Sequence, residues 1–263
     1  MLITRSHGPV TEIRMATGFL GRGLYWVSVF YFQGILVDAG PPHTAGELRR
    51  WLNRHPLTGV LLTHHHEDHC GGAFALPIRT FAPQASLERL AHPGRTQLAR
   101  QWVWGRARAV QAAPLPRRME IAGQTVEAIP TPGHSDDHVA LLFPDQGRIF
   151  SGDLYVHPRV RYAQGDENVP QAIQSLRKVA SLDFAELYCA HAGRVDDPKA
   201  ALQRKIDFLE DVRGRALELS RQGMGPEAIA RQIFGRLGTW QRLTEGWFSE
   251  ANLIRSLLED NGG

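Results

Sequence analysis

The sequence predicts an α/β fold in which two sheets lie between helical layers, followed by a helical tail. Three observations lead there. Runs rich in Val, Ile, Tyr, Phe and Trp alternate with helix-patterned stretches as far as residue 196. Residues of metal-ligand type recur directly after the strand-like runs. Beyond Asp197 the strand signals cease and only helical segments follow. With 263 residues, 43% of them hydrophobic, the chain can bury one substantial core and a small appended module. The expected division is residues 1–196 for the core domain and 197–263 for the helical extension.

Taken in order, Glu12 to Met15 reads as a short strand and Leu24 to Phe32 as a long one. The turn pair Gln33-Gly34 leads into the strand Ile35 to Val37, which ends at Asp38-Ala39-Gly40-Pro41-Pro42. A helix from about Ala45 to Asn53 precedes Gly59-Val60-Leu61-Leu62, a short buried strand. Gly72 to Leu76 begins a helix, Ile78 to Phe81 is a strand, and Pro83 to Ala91 is a helix opened by proline. Arg95 to Val110 looks helical and is broken by Pro114 and Pro116. Strands follow at Arg118 to Ile121 and Thr125 to Ile129, then at His138 to Phe143 and Arg148 to Phe150. Pro170 to Ser181 is an amphipathic helix, and Glu186 to Ala190 is a strand ending at His191. The tail holds helices near 198–221, 226–234 and 249–259.

The chemistry begins in Thr63-His64-His65-His66-Glu67-Asp68-His69. A His-x-His-x-Asp-His loop at the end of a buried strand concentrates imidazoles and a carboxylate, the donors that suit zinc and its first-row neighbours. Left to itself such a cluster repels and costs desolvation; a metal resolves both problems. The bland alternative is a surface poly-His tract. His134 after Thr131-Pro132-Gly133, Asp153 after Ser151-Gly152, and His191 after Tyr188-Cys189-Ala190 put the same donor types at other strand ends. Glycine and proline there let the backbone turn sharply and aim a side chain into a shared pocket. Each alone reads as structural. Together, in this order, they read as a metal site.

Composition narrows the class. No apolar run approaches 18 residues and no charged-then-apolar leader follows Met1, so a cytoplasmic protein without a membrane span is expected. Cys70 and Cys189, the two cysteines, make no disulfide framework and read as small buried apolar residues. The net charge of +3 is concentrated between His92 and Met119, where Arg95, Arg100, Arg106, Arg108, Arg117 and Arg118 face no Asp or Glu. With Trp102 and Trp104 that stretch suits an anionic ligand bearing a flat ring; the simpler alternative is a solvated helix whose tryptophans pack on the core. The tail from Asp197 carries ten basic and ten acidic residues, no electrostatic footprint for nucleic acid. Packing or homodimerisation is the expected role, with Trp240, Trp247 and Phe248 in the contact or reaching the pocket rim.

From Glu12 to Gly193 these motifs resemble the metallo-β-lactamase superfamily: His64-x-His66-x-Asp68-His69, His134, Asp153 and His191, with Asp38 in an early Asp-containing turn. The resemblance implies a four-layer αββα sandwich with two metals at one edge of the paired sheets. It implies His64, His66 and His134 on the first metal, Asp68, His69 and His191 on the second, and Asp153 bridging. His65 and Glu67 fall at non-ligand positions, facing solvent or supporting the ligands. Asp38 either orients a ligating imidazole or caps its own turn. The sequence departs from the family's Gly-His-Gly at Ala190-His191-Ala192. Zinc is the first expectation for both ions; iron and manganese suit the same donors.

The implied activity is hydrolysis by a metal-bridging hydroxide, with Asp68 orienting it and taking its proton. The run from Thr131 to His138 with Ile149 to Asp153 looks most like the beta-lactamase-like protein 2 branch and also like the quorum-sensing response thioesterase branch. Glyoxalase II shares the ligands, without its glutathione-binding pattern being evident after Asp153. A thioester, ester or lactone of a small, anionic substrate is the first expectation. RNA or nucleotide phosphodiesters, or a regulatory metal-binding role with little turnover, are the alternatives. Tyr25, Trp102, Trp104, Tyr155 and His157 are candidates for contacting the substrate.

Overall fold

In the computed structural model, described for residues 1–19, 22–94, 96–235 and 246–259, the chain forms two compact units. The first comprises Met1–Pro130, Asp137–Asp153 and Asp183–Val195. It contains a sheet of seven strands in the order β1-β2-β3-β4-β5-β6-β7: Leu2–His7, Val10–Phe19, Arg22–Phe32, Ile35–Val37, Gly59–Leu61, Thr80–Ala82 and Ala113–Pro114. Neighbours are antiparallel through β4 and parallel from β4 to β7. Gly34, at φ +83°, lets the chain reverse between β3 and β4, and the helix α1 (Ala45–Leu52) supplies the longer crossover that parallel pairing with β5 requires.

The second sheet comprises β8 (Arg118–Ile121), β9 (Gln124–Pro130), β10 (Val139–Phe143), β11 (Arg148–Phe150), β13 (Glu186–Cys189) and β14 (Gly193–Val195), in the order β14-β13-β11-β10-β9-β8. Only β11 and β13 pair in parallel among these strands. Side chains alternate along β3. Phe30 and Phe32 join Leu61, Leu141, Phe143, Phe150 and Tyr188 in one apolar cluster that both sheets share. Val29 faces the other way and joins Ile13, Leu36, Val60, Leu48 and Leu90 in a cluster with the helices. Each large side chain so buried contributes about 1.5–3 kcal/mol, which is why β3 reads as a long apolar run.

This topology creates the site. β4 and β5 run in parallel, as do β11 and β13, so the residues following each pair emerge at the same edge of their sheet. Asp38, His64, Asp153 and His191 all lie just beyond such strand ends. The Ser28 main-chain N donates to Ala190 O at 2.7 Å and stitches the two sheets together there.

The second unit comprises Thr131–Asp136, Leu154–Leu182 and Asp196–Gly263. Its described helices are Val169–Ala180, Pro198–Arg221, Pro226–Phe234 and Glu250–Leu258, with a two-stranded pairing of β12 (Ala163–Gln164) and β15 (Phe248–Ser249). Lys205 is buried, its Nζ donating to the carbonyls of Leu154 and Tyr155 at 2.8 and 2.7 Å.

Several expectations need correction. The short β1, β7 and β14 carry weak sequence signals and exist because neighbouring strands pair with them. Gly72 to Leu76 forms a 3-10 turn at Ala73–Ala75. Among its described residues, which leave out Arg95, the arginine-rich stretch is helical only over Leu98–Trp104, ending at Gly105, whose φ of +104° and close approach to the His43 ring exclude a side chain. Trp240 lies outside the described residues. Among those described, no helix is long and apolar enough to cross a membrane.

Candidate metal centre

After β5 the chain passes through Thr63 and His64 into a one-turn helix, Glu67–Cys70, which carries Asp68 and His69. One donor atom each from Asp68, His69, Asp153 and His191 lie within 4.8 Å of one another. His69 Nε2 is 3.3 Å from Asp153 Oδ1 and 3.8 Å from Asp68 Oδ2. His191 Nε2 is 3.3 Å from Asp153 Oδ2 and 3.5 Å from Asp68 Oδ2. His64 and His66 stand beside this group, their ring centroids 4.6 Å apart and His64 4.2 Å from His69.

The imidazoles are oriented from behind. Asp38 Oδ2 accepts from His69 Nδ1 at 2.8 Å, and its Oδ1 accepts from the Thr63 main-chain N at 2.8 Å. Thr63 Oγ1 donates to the same carboxylate and accepts from His64 Nδ1 at 3.0 Å, so the lone pair of His64 falls on Nε2. His191 Nδ1 donates to Trp26 O at 3.2 Å. Between the two readings of Asp38, it orients the His69 imidazole, held at φ +59° at the end of β4.

The electrostatics match. Burial pushes the His69 imidazole pKa down, but the carboxylates of Asp153, Asp68 and Asp38 leave it well above the ordinary range. Burial likewise disfavours the charged His191, and Asp153 and Asp68 reverse that. Burial pushes the Asp153 carboxyl up, yet His191 and His69 leave it well below the usual value. Asp68 is lowered against the same burial by the same two histidines. Two carboxylates and two imidazoles brought together in this way are donor types that suit a divalent cation. Nε2 of His69, buried and without a hydrogen bond among the described residues, fits an ion in that place.

The other loop residues have partners. The His65 main-chain N and Nδ1 both reach Asp137 Oδ2, at 3.0 and 2.9 Å, and Ser86 Oγ donates to the same oxygen at 2.6 Å. Glu67 is buried rather than solvent-facing, and Arg100 grips its carboxylate from Nε and Nη2 at 2.6 and 2.9 Å. Cys70 and Cys189 are buried thiols, as read from the sequence. His138 Nε2 accepts from the Asp153 main-chain N at 3.1 Å. The sequence gives His138 and Asp137 no role and Arg100 only a place in the basic stretch, not its bond to Glu67. The first two had a signal in their place within the His134 run; that bond had none, because the partners lie 33 residues apart.

The substrate candidates separate. The Tyr25 ring meets Trp104 edge-on at 6.2 Å. Trp102 is 57% exposed and shares its helix face with Leu98, while Arg100 and Trp104 occupy the anchored face. Tyr155, His157 and His134 belong to the second unit. Tyr155 is buried and His157 exposed, with its Nδ1 accepting from Arg159 N at 3.1 Å. His134 Nδ1 is 3.1 Å from Glu167 Oε1, a partner sequence reasoning missed.

The sequence profile of the Metallo-beta-lactamase superfamily matches residues 33–191. The chain belongs to that superfamily. A hydroxyacylglutathione hydrolase from Synechococcus sp. is 33% identical over 175 residues, 63% of this chain and 63% of the relative. An atrochrysone carboxyl ACP thioesterase from Aspergillus fumigatus is 31% identical over 153 residues, 57% of this chain and 43% of the relative. The chain therefore spans less than two thirds of the length of these curated relatives. A beta-lactamase domain protein from Burkholderia ambifaria superposes with a TM-score of 0.72 at 18% identity, over 97% of this chain and 88% of that one. The fold is the superfamily's α/β sandwich.

Proposed function

We propose that this superfamily member is a hydrolase that holds two divalent ions and cleaves the thioester, ester or lactone bond of a small molecule. The observation carrying the reading is the convergence of Asp68, His69, Asp153 and His191, each from a different turn or the same short helix, beside His64 and His66. On the superfamily pattern, His64, His66 and His134 would hold the first ion, and Asp68, His69 and His191 the second, with Asp153 between them. Zinc leads among the ions such donors accept, followed by iron and manganese. Bound ions supply an activated water and polarise the scissile carbonyl. Asp68 is the proton acceptor of this scheme, its carboxylate kept ionised by His69 and His191 against the effect of burial. Asp38 and the Trp26 carbonyl keep the two histidines in the tautomer a metal needs.

Two things favour a carbonyl substrate over a phosphodiester. The relatives include enzymes whose names describe thioester cleavage. One arginine of the basic stretch is also spent inside the fold, Arg100 on Glu67, and Arg108, though exposed, lies over the Phe74 ring at 4.7 Å. The test is metal content of the purified protein, measured alongside hydrolysis of thioesters, lactones and short RNAs with and without chelator. Two ions per chain with chelator-sensitive thioester or lactone turnover is the expected result. Turnover of RNA alone, falling steeply with salt, would replace the carbonyl reading with the phosphodiester one. Two ions without turnover of any class would favour the regulatory role.

A further inference from the structure

We infer that the C-terminal helix Glu250–Leu258 supports the metal centre, acting through Ser256 and Glu167 on His134. The inference rests on the reading of His134 as a metal ligand.

An imidazole that offers Nε2 to a metal needs an acceptor at Nδ1 to fix its tautomer and ring plane. Glu167 Oε1 stands 3.1 Å from His134 Nδ1, with both side chains largely buried, 17% and 12% exposed. Glu167 lies two residues before the helix Val169–Ala180, and its position is set from two directions. On one side Asn168 N donates to Gly133 O at 2.8 Å and Ser175 Oγ donates to Pro132 O at 2.7 Å, tying the His134 turn to that helix. Gly133, at φ +137°, sits so close that a Cβ would come within 2.4 Å of Ala172 N. On the other side the hydroxyl of Ser256, itself buried, donates to Glu167 O at 2.7 Å and accepts from Val169 N at 2.9 Å.

One hydroxyl therefore uses both its donor and its acceptor capacity on the backbone flanking Glu167. It cannot rotate without losing a buried hydrogen bond. The helix that carries it is fixed in turn, its start capped by Ser249 Oγ and Asn252 Nδ2 donating to Gly246 O and Trp247 O at 3.0 and 2.9 Å. Glu167 is thus a positioning residue for His134, and the tail helix positions Glu167. The helical segment beyond residue 196 thereby acquires a link to the chemistry.

The experiment uses the full chain and titrates zinc against a chromophoric chelator, with thermal midpoints of the metal-free proteins as a check on folding. Glu167→Ala should weaken one of the two zinc ions about 10–100-fold and leave the other unchanged. Glu167→Gln should fall between, because an amide oxygen still accepts from Nδ1. Ser256→Ala should weaken the same ion several-fold, and His134→Ala should identify it by removing it. Metal-free thermal midpoints close to the wild type would separate positioning from loss of fold. Wild-type affinity at both sites in Glu167→Ala, or affinity in Ser256→Ala that falls only in step with its thermal midpoint, would overturn the inference. A wild-type protein that binds no second ion would instead defeat the two-metal reading itself.

Discussion

Asp38 Oδ2 lies 2.8 Å from Nδ1 of His69, while its other oxygen holds the main-chain N of Thr63 at 2.8 Å. One buried carboxylate thus sets the His69 ring and the start of the histidine-rich loop together. Asp38→Ala should weaken metal binding about 10–100-fold, the usual cost of losing such an orienting partner. Asp38→Asn should cost less, because asparagine tolerates the φ of +59° and keeps an oxygen for Thr63. Zinc titration of both variants checks the order; equal losses would mean that the carboxylate's charge matters and that neither the backbone conformation nor the oxygen kept for Thr63 does.

Arg100 and Glu67 form a two-bond ion pair with side-chain exposures of 14% and 5%. Removing one partner strands the other charge in the interior. Arg100→Met should therefore cost about 3–5 kcal/mol of stability, read from denaturant midpoints. The double variant Arg100→Met with Glu67→Leu should recover part of that loss. If the double variant is as unstable as the sum of both single ones, the pair is not the reason.

Gly152 precedes Asp153 at φ +48°, and a Cβ there would come 2.5 Å from His138 Nε2 and 3.0 Å from Thr63 Oγ1. Gly152→Ala should lose roughly 1–2 kcal/mol from the left-handed backbone alone. The clash displaces the imidazole that accepts from the Asp153 main-chain N, so metal affinity should fall as well. Unchanged zinc affinity would show that the Asp153 turn tolerates the displacement.

Metal uptake should release protons. In the metal-free chain the pKa values of His69 and His191 are raised, so they stabilise the fold below the unfolded value near 6.5 and that contribution is lost as pH rises through their folded values. Asp68 and Asp153 are lowered, so theirs is present above about pH 4 and lost as pH falls through their folded values. The metal-free protein should thus be most stable in weak acid and decline toward alkaline pH. Zinc, taking the place of the histidine protons, should abolish that alkaline decline. Thermal midpoints across pH with and without zinc, and calorimetry in buffers of different ionisation enthalpy, test this. Zinc binding that takes up protons would contradict the sign.

The sequence by itself determined the fold class and pointed to the histidines and aspartates that gather at the candidate site, because both are written in local chemistry. Val60 and Leu61 before Thr63, and Ile149 and Phe150 before Ser151, mark strands by composition, and the turn residues after them mark where a side chain can be aimed. The His64-to-His69 spacing is distinctive without any knowledge of what surrounds it. Tertiary structure decided what depends on residues far apart in the chain. Asp38 could cap its own turn or orient a ligand, and only the return of β5 beside β4 brought His69 to it. Arg100 reads as one of six exposed positive charges until folding buries Glu67 against it. Glu167 and Ser256 are unremarkable polar residues in a helical context, and their bearing on His134 comes from contacts across 33 and 89 residues. Ligand types follow from what each residue can donate. Their orientation follows from hydrogen bonds that close over long loops, and no local pattern encodes those.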